Sequence, residues 1–166
     1  MADFPEHIKQ AKNNLDFLSQ VNDSGKKFWD WQVTISFYVA VHLVNAHIAS
    51  KANMHYRSHN DVKNALNPER QVSLSKVDEE TYKAFIKLQQ LARRARYLCH
   101  DKAANQDEIA FFTYDKHFAK AIKNLDKIMS FIHKEYSEEF EPIQIDCIEL
   151  VNYSSQYFKT GKKKIA

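Results

Sequence analysis

With 166 residues, a formal net charge of +3, two cysteines, two glycines and three prolines, the chain suits one domain whose core needs no disulfide framework and no metal. Cys99 and Cys147 stand far apart with no CxxC or Cys/His zinc spacing, which points to a reducing, cytoplasmic setting. So little glycine and proline leaves few hairpin turns and no phosphate-cradling loop, and an all-α fold is expected.

The opening MADFPEHIKQ lacks the basic start and apolar run of a signal peptide. A first helix is expected from Pro5, with Ile8, Ala11, Leu15, Leu18 and Val21 at helical spacing and a stop at Asn22-Asp23-Ser24-Gly25. It reads as a packing element without chemistry.

The second helix, about Lys27 to Lys51, is the most informative stretch. Thr34, Tyr38, His42 and Asn45 stack on one line, while Val33, Ile35, Phe37, Val39, Val41, Leu43, Val44 and Ile48 cover most of the remaining surface. A helix apolar nearly all round belongs at the centre of its domain, and a buried polar group left unpaired costs about 1–3 kcal/mol. The line is therefore expected to be a buried polar stripe, either satisfied by core hydrogen bonds or opening on a functional cleft. Phe28, Trp29 and Trp31 at its start are expected to anchor in the core. The apolar stretch, interrupted by His42 and Asn45, reads as short of a membrane span, so a soluble chain without a membrane partner is expected.

A loop with His55, Arg57 and His59 follows, then a short helix from about Asn60 to Leu66 that must stop before Asn67-Pro68. On a helical backbone His55 and His59 would share a face able to hold a metal, but Asp61 is the only carboxylate close by and no metal or other cofactor is expected.

After a polar connection from Glu69 to Val77, Asp78 is placed to cap a long helix whose buried stripe is Tyr82, Phe85, Leu88, Ala92, Ala95 and Cys99. Arg93, Arg96, Tyr97 and His100 lie on the flank of that stripe, and residues 87–102 are strongly basic, with Lys87, Arg93, Arg94, Arg96 and Lys102 against Asp101. Arginine offers forked donors to phosphate and histidine titrates near neutrality, so the group can orient an RNA 2′-hydroxyl and move a proton without a metal. The alternative is that the arginines pair with acids of neighbouring helices.

A last helix, about Glu108 to Tyr136, repeats Phe111, Tyr114, Phe118, Ala121, Leu125, Ile128 and Ile132 at spacings of three and four, the mark of bundle packing or a dimer seam. Lys116, Lys120, Lys123 and Lys127 form its solvated face. Beyond Pro142, Ile143, Ile145 and Cys147 alternate with Gln144 and Asp146 as in a short strand or extended arm, and Tyr157 to Ala166 is expected to fray. The chain thus divides into a bundle over 1–138 and an extension over 139–166, partly extended or disordered.

The Trp31–Phe37-Tyr38–His42–Asn45-Ala46 helix, the His55-x-Arg57 loop and the Tyr82–Leu88–Arg94-Ala95-Arg96-Tyr97 helix together resemble small bacterial proteins of the higher eukaryotes and prokaryotes nucleotide-binding (HEPN) superfamily, over roughly residues 5–135. The resemblance implies an up-and-down bundle of four or five helices, often a homodimer, with many members acting as metal-independent ribonucleases in defence or toxin–antitoxin systems beside an antitoxin or other partner protein. Their catalytic arginine precedes a histidine by four to six intervening residues, which Arg94 with His100 and Arg93 with His100 both satisfy. Ala95 stands where the family commonly has a polar residue. On a continuous helix Arg93 aligns with His100 and Arg94 points about 120° away, so Arg94 needs a break before His100. Under this resemblance Arg94 and His100 are the catalytic pair, and Arg93, Arg96, Tyr97, His55 and Arg57 line an RNA- or nucleotide-phosphate-binding groove. Members without activity imply the alternative, a dimerisation or protein-interaction module.

Overall fold

The computed structural model describes residues 2–99 and 110–161. Five helices pack together, α1 (Phe4–Asp23), α2 (Trp29–Ala52), α3 (His59–Leu66), α4 (Glu79–Tyr97) and α5 (Asp115–Tyr136), followed by a two-stranded sheet of β1 (Ile143–Ile145) and β2 (Phe158–Thr160).

Local chemistry sets the helix starts. Asp3 and Glu6 exchange side-chain and backbone bonds at 3.0 and 2.9 Å in a capping box ahead of α1. Ser58 caps α3, and Asp78 caps α4 by accepting from the Thr81 amide at 2.8 Å and its hydroxyl at 2.7 Å. α2, α4 and α5 each end in a left-handed residue, Asn53, Leu98 and Ser137.

α2 is the central element and packs against α1, α4 and α5. His7–His42 and Asn22–Gln32 contacts make α1 antiparallel to it, whereas Trp29–Phe118 and His47–Phe131 run α5 parallel to it. α2 is long and apolar enough to cross a membrane by length and composition, more so than its sequence pattern suggests, and most of that stretch is buried inside the bundle.

Phe118, Ala121, Leu125, Ile128 and Ile132 of α5 are buried in the same core, so the heptad seam is consumed within the chain. α5 begins at Asp115, not near Glu108, and among the described residues Phe111 and Tyr114 precede it as extended chain. Tyr114 takes the cap position instead, its amide donating to His117 Nδ1 at 3.0 Å.

The C-terminal arm has its short strand where the alternation beyond Pro142 predicts it, and departs from expectation at its end. β1 and β2 pair in parallel, Ile143 opposite Phe158 and Ile145 opposite Thr160, and Tyr157 and Phe158 are buried where fraying was expected. Asp126 of α5 holds the intervening loop by accepting from Tyr153 Oη at 2.6 Å and from Ser155 Oγ, and Asn22 of α1 binds the Asp146 amide at 2.7 Å. The positions 162–166 lie outside the described residues.

The aromatic opening of α2 is another correction. Trp29 is half-buried against Phe118, but Phe28 is exposed and Trp31 is 61% exposed. Cys99, expected in the core, lies beyond the end of α4 and is only half-buried.

Candidate functional site

α1 and α4 flank α2 without packing closely on each other, so a line of α2 side chains emerges between them. The sequence stripe marks that line but not its burial. Thr34 and Asn45 are buried and satisfied, Thr34 Oγ1 donating to the Asp30 carbonyl at 2.8 Å and Asn45 Nδ2 to the Val41 carbonyl at 3.0 Å. Tyr38 is 41% exposed and His42 half-buried, so the expected four-residue buried stripe is correct only at its ends. The reason is the gap between α1 and α4.

His42 meets two other imidazoles in that gap. His7 Nδ1 lies 3.1 Å from His42 Nδ1, and His7 Nε2 lies 3.0 Å from His55 Nδ1, with the His7 and His55 rings stacked. His7 is buried, and the two outer rings are half-buried. Burial, reinforced by the neighbouring imidazoles His42 and His55, lowers the His7 pKa to about 4 against a weaker opposing pull from Glu6 and Asp3. Burial and then His55 also lower His42.

One turn toward the start of α2, Phe37 carries the second half of the face. Its ring lies 5.1 Å from His59 edge-on, 6.0 Å from Tyr38 and 5.9 Å from the Arg96 guanidinium. Arg96 also lies over Tyr97 at 5.4 Å, and its Nε donates to the Ala92 carbonyl at 3.2 Å. Tyr97 is 67% exposed, and the pKa of His59 is lowered by burial and then by Arg96. Among the described residues neither Arg96 nor Arg57 forms an ion pair with a carboxylate. His7, Tyr38, His42, His55, His59, Arg96 and Tyr97 therefore make an imidazole-rich and aromatic face whose one guanidinium, Arg96, has no carboxylate ion pair among the described residues.

Of the remaining predicted residues, Arg94 goes elsewhere. Arg94 turns toward the start of α5, donating from Nε at 3.2 Å and Nη2 at 2.9 Å to the Phe112 carbonyl with its guanidinium over Phe111. Arg93 is exposed one turn before Tyr97 on the same flank of α4, and Arg57 is exposed in the α2–α3 loop. His100 lies outside the described residues, but α4 does end at Tyr97 with Leu98 at φ 52°, the break that an Arg94–His100 pairing requires. His55 and His59 do not share a face, because the first turns to α1 and the second to Phe37.

Two participants escaped the sequence reading. His7 falls on the α1 apolar stripe one turn before Ala11, so extending that stripe toward the N-terminus would have exposed a buried histidine. For His59 the sequence offers only the i, i+4 spacing to His55, which gives no sign of its contact with Phe37. His117 is a third unread histidine: burial and then Arg94 lower its pKa to about 4, and its work is capping α5.

No group of three His, Cys, Asp or Glu side chains among the described residues is placed to hold a metal. His7 reaches its neighbours through opposite ring nitrogens, which cannot converge on one ion. A separate cleft of about 890 Å³ lies between α2, α4 and α5, around His47, Lys51, Asp126 and Lys127. Three of its polar side chains are committed to the protein: Lys51 pairs with Glu135 at 2.6 Å, Lys127 with Glu80 at 2.7 Å, and His47 bonds Tyr136 Oη at 2.7 Å. No protein-family model matches this chain, and no curated protein or solved structure is detectably similar to it.

Proposed function

We propose that this protein binds RNA or a nucleotide phosphate across the face between α1 and α4, in the manner implied by its resemblance to the HEPN superfamily. The observation that carries the reading is Arg96, its guanidinium 5.9 Å from the Phe37 ring and 5.4 Å from the Tyr97 ring, with no carboxylate ion pair among the described residues. Guanidinium donors left open beside exposed aromatic rings suit a phosphate next to an unstacked base. Tyr38 and Tyr97 supply stacking surface, and His59, His55 and Arg57 add donors. Metal-independent cleavage of the bound RNA, in a defence or toxin–antitoxin setting and as a cytoplasmic homodimer, is the fuller form of this proposal, and the resemblance would assign it to Arg94 and His100.

Fluorescence anisotropy with a single-stranded RNA tests it. Binding is expected to weaken steeply with salt, and Arg96→Ala and Tyr97→Ala are each expected to lower affinity about tenfold, in line with roughly 1–3 kcal/mol per stacked base. Affinity unmoved by either change would refute the assignment. A protein-interaction module is the second reading, favoured by the exposure of Trp31, Leu98, Phe112 and Tyr114. Self-association or partner capture lost in Trp31→Ala, without RNA binding, would select it.

A further inference from the structure

We propose that His42, His7 and His55 form a proton relay that serves as the acid–base centre of this face, acting on a phosphodiester that carries a 2′-hydroxyl. The inference rests on the RNA-binding reading above and places the chemistry away from Arg94 and His100.

The hydrogen-bond pattern dictates the relay. A neutral imidazole has one N–H and one lone pair. His7 uses both ring nitrogens, toward His42 Nδ1 at 3.1 Å and His55 Nδ1 at 3.0 Å, so it must donate to one neighbour and accept from the other. In one arrangement His42 donates to His7 and His7 to His55, leaving His42 Nε2 as a free base and His55 Nε2–H as a free acid. In the mirror arrangement every proton has moved one bond along and the two ends have exchanged roles. A neutral triad therefore always presents one base and one acid. Its middle ring is shielded and its outer rings are half-buried, which lets protons enter and leave only at the ends. Burial keeps His7 and His42 neutral near pH 7, as the relay requires; the charged groups acting on His7 are Asp3 and Glu6 at the head of α1.

The step that such a pair supports is transesterification. The base end takes the 2′-hydroxyl proton as the 2′-oxygen bonds to phosphorus. The acid end protonates the departing 5′-oxygen as its bond to phosphorus breaks, giving a 2′,3′-cyclic phosphate and a 5′-hydroxyl. Transfer of one proton across each internal bond then restores a neutral triad of the opposite arrangement. No oxidant, metal or water is consumed. Arg57, two residues from His55 in sequence, and Arg96, beside Phe37 and His59 on the other half of the face, are the cations available for the charge that develops on phosphate.

The test is cleavage of an end-labelled single-stranded RNA in EDTA, with binding followed in parallel by anisotropy. His55→Ala removes a half-buried loop side chain, and His7→Gln keeps one donor and one acceptor without a mobile ring proton. Both are expected to lower cleavage at least about a hundredfold, and His7→Gln, which changes only a buried ring, is expected to keep affinity within about twofold. Added imidazole is expected to restore part of the rate in His55→Ala, and a 2′-O-methyl substrate is expected to resist. Cleavage that survives both changes and disappears only in His100→Ala overturns the relay. RNA bound without cleavage also overturns it while leaving the binding reading intact, whereas absence of RNA binding removes both.

Discussion

His7 and His117 are buried histidines of different elements that share one electrostatic consequence. Each has its pKa lowered to about 4 from an ordinary value of 6.5, burial being the first cause in both. A lowered native pKa means that the unfolded chain binds the proton more readily. Their contribution to stability is therefore complete above about pH 6.5 and is lost as the pH falls toward 4. Denaturant titrations at pH 7 and pH 5 are expected to differ by about 2 kcal/mol for the two together, after allowance for solvent screening. His7→Gln is expected to flatten part of that slope, and stability independent of pH over this range would contradict the burial assigned to both rings. The residue scale is also where sequence reading was weakest. Tyr38 and His42 were placed on one line correctly, but their exposure depends on how far apart α1 and α4 stand, which no helical period encodes. His7 was hidden because one histidine among Ile8, Ala11 and Leu15 looks like a helix-surface residue.

Elements were read more reliably because their signals are local. The Asp78 cap, the stop before Asn67-Pro68 and the apolar surface of α2 follow from residues within one turn, and the structure has them where expected. Asp78→Ala is expected to cost about 1 kcal/mol by freeing the first amides of α4, measurable as a lower thermal midpoint. The start of α5 was misread because Phe111 and Tyr114 continue its three-four spacing while belonging to extended chain. The arm is legible at its first strand, where Ile143 and Ile145 alternate with Gln144, but not at its second, because three residues paired to a strand far back in sequence leave almost no local trace. Phe158→Ala checks the arm directly. Its buried ring predicts a loss of about 3–5 kcal/mol in urea unfolding, whereas a frayed tail would lose under about 0.5 kcal/mol.

At the scale of the whole molecule, α2 is the common wall of the packing and of the face. Val33, Phe37, Ala40, Val44 and Ile48 bury against its neighbours, while Tyr38 and His42 look out between them. Phe37 belongs to both, packing on Phe85 at 5.9 Å and carrying Arg96 and His59 on its other contacts. A face mounted on the most buried helix is expected to stay fixed on binding, which suits the proposed recognition of an extended strand by a preformed surface. The helical class was legible from composition alone, since so few glycines and prolines leave little else. The location of the face was legible only in part, because His55, Arg57, Arg96 and Tyr97 were marked without the geometry that separates them from Arg94.

The central claim is that RNA lies on this face and not at the start of α5 or in the α2–α5 cleft. The most direct measurement is a titration of the protein with single-stranded RNA while the histidine ring resonances are followed by NMR. Shifts at His42, His55 and His59, with His47 and His117 unmoved, are the predicted result. Shifts confined to His117 or His47, or no shift at any histidine under conditions where RNA is bound, would contradict the account.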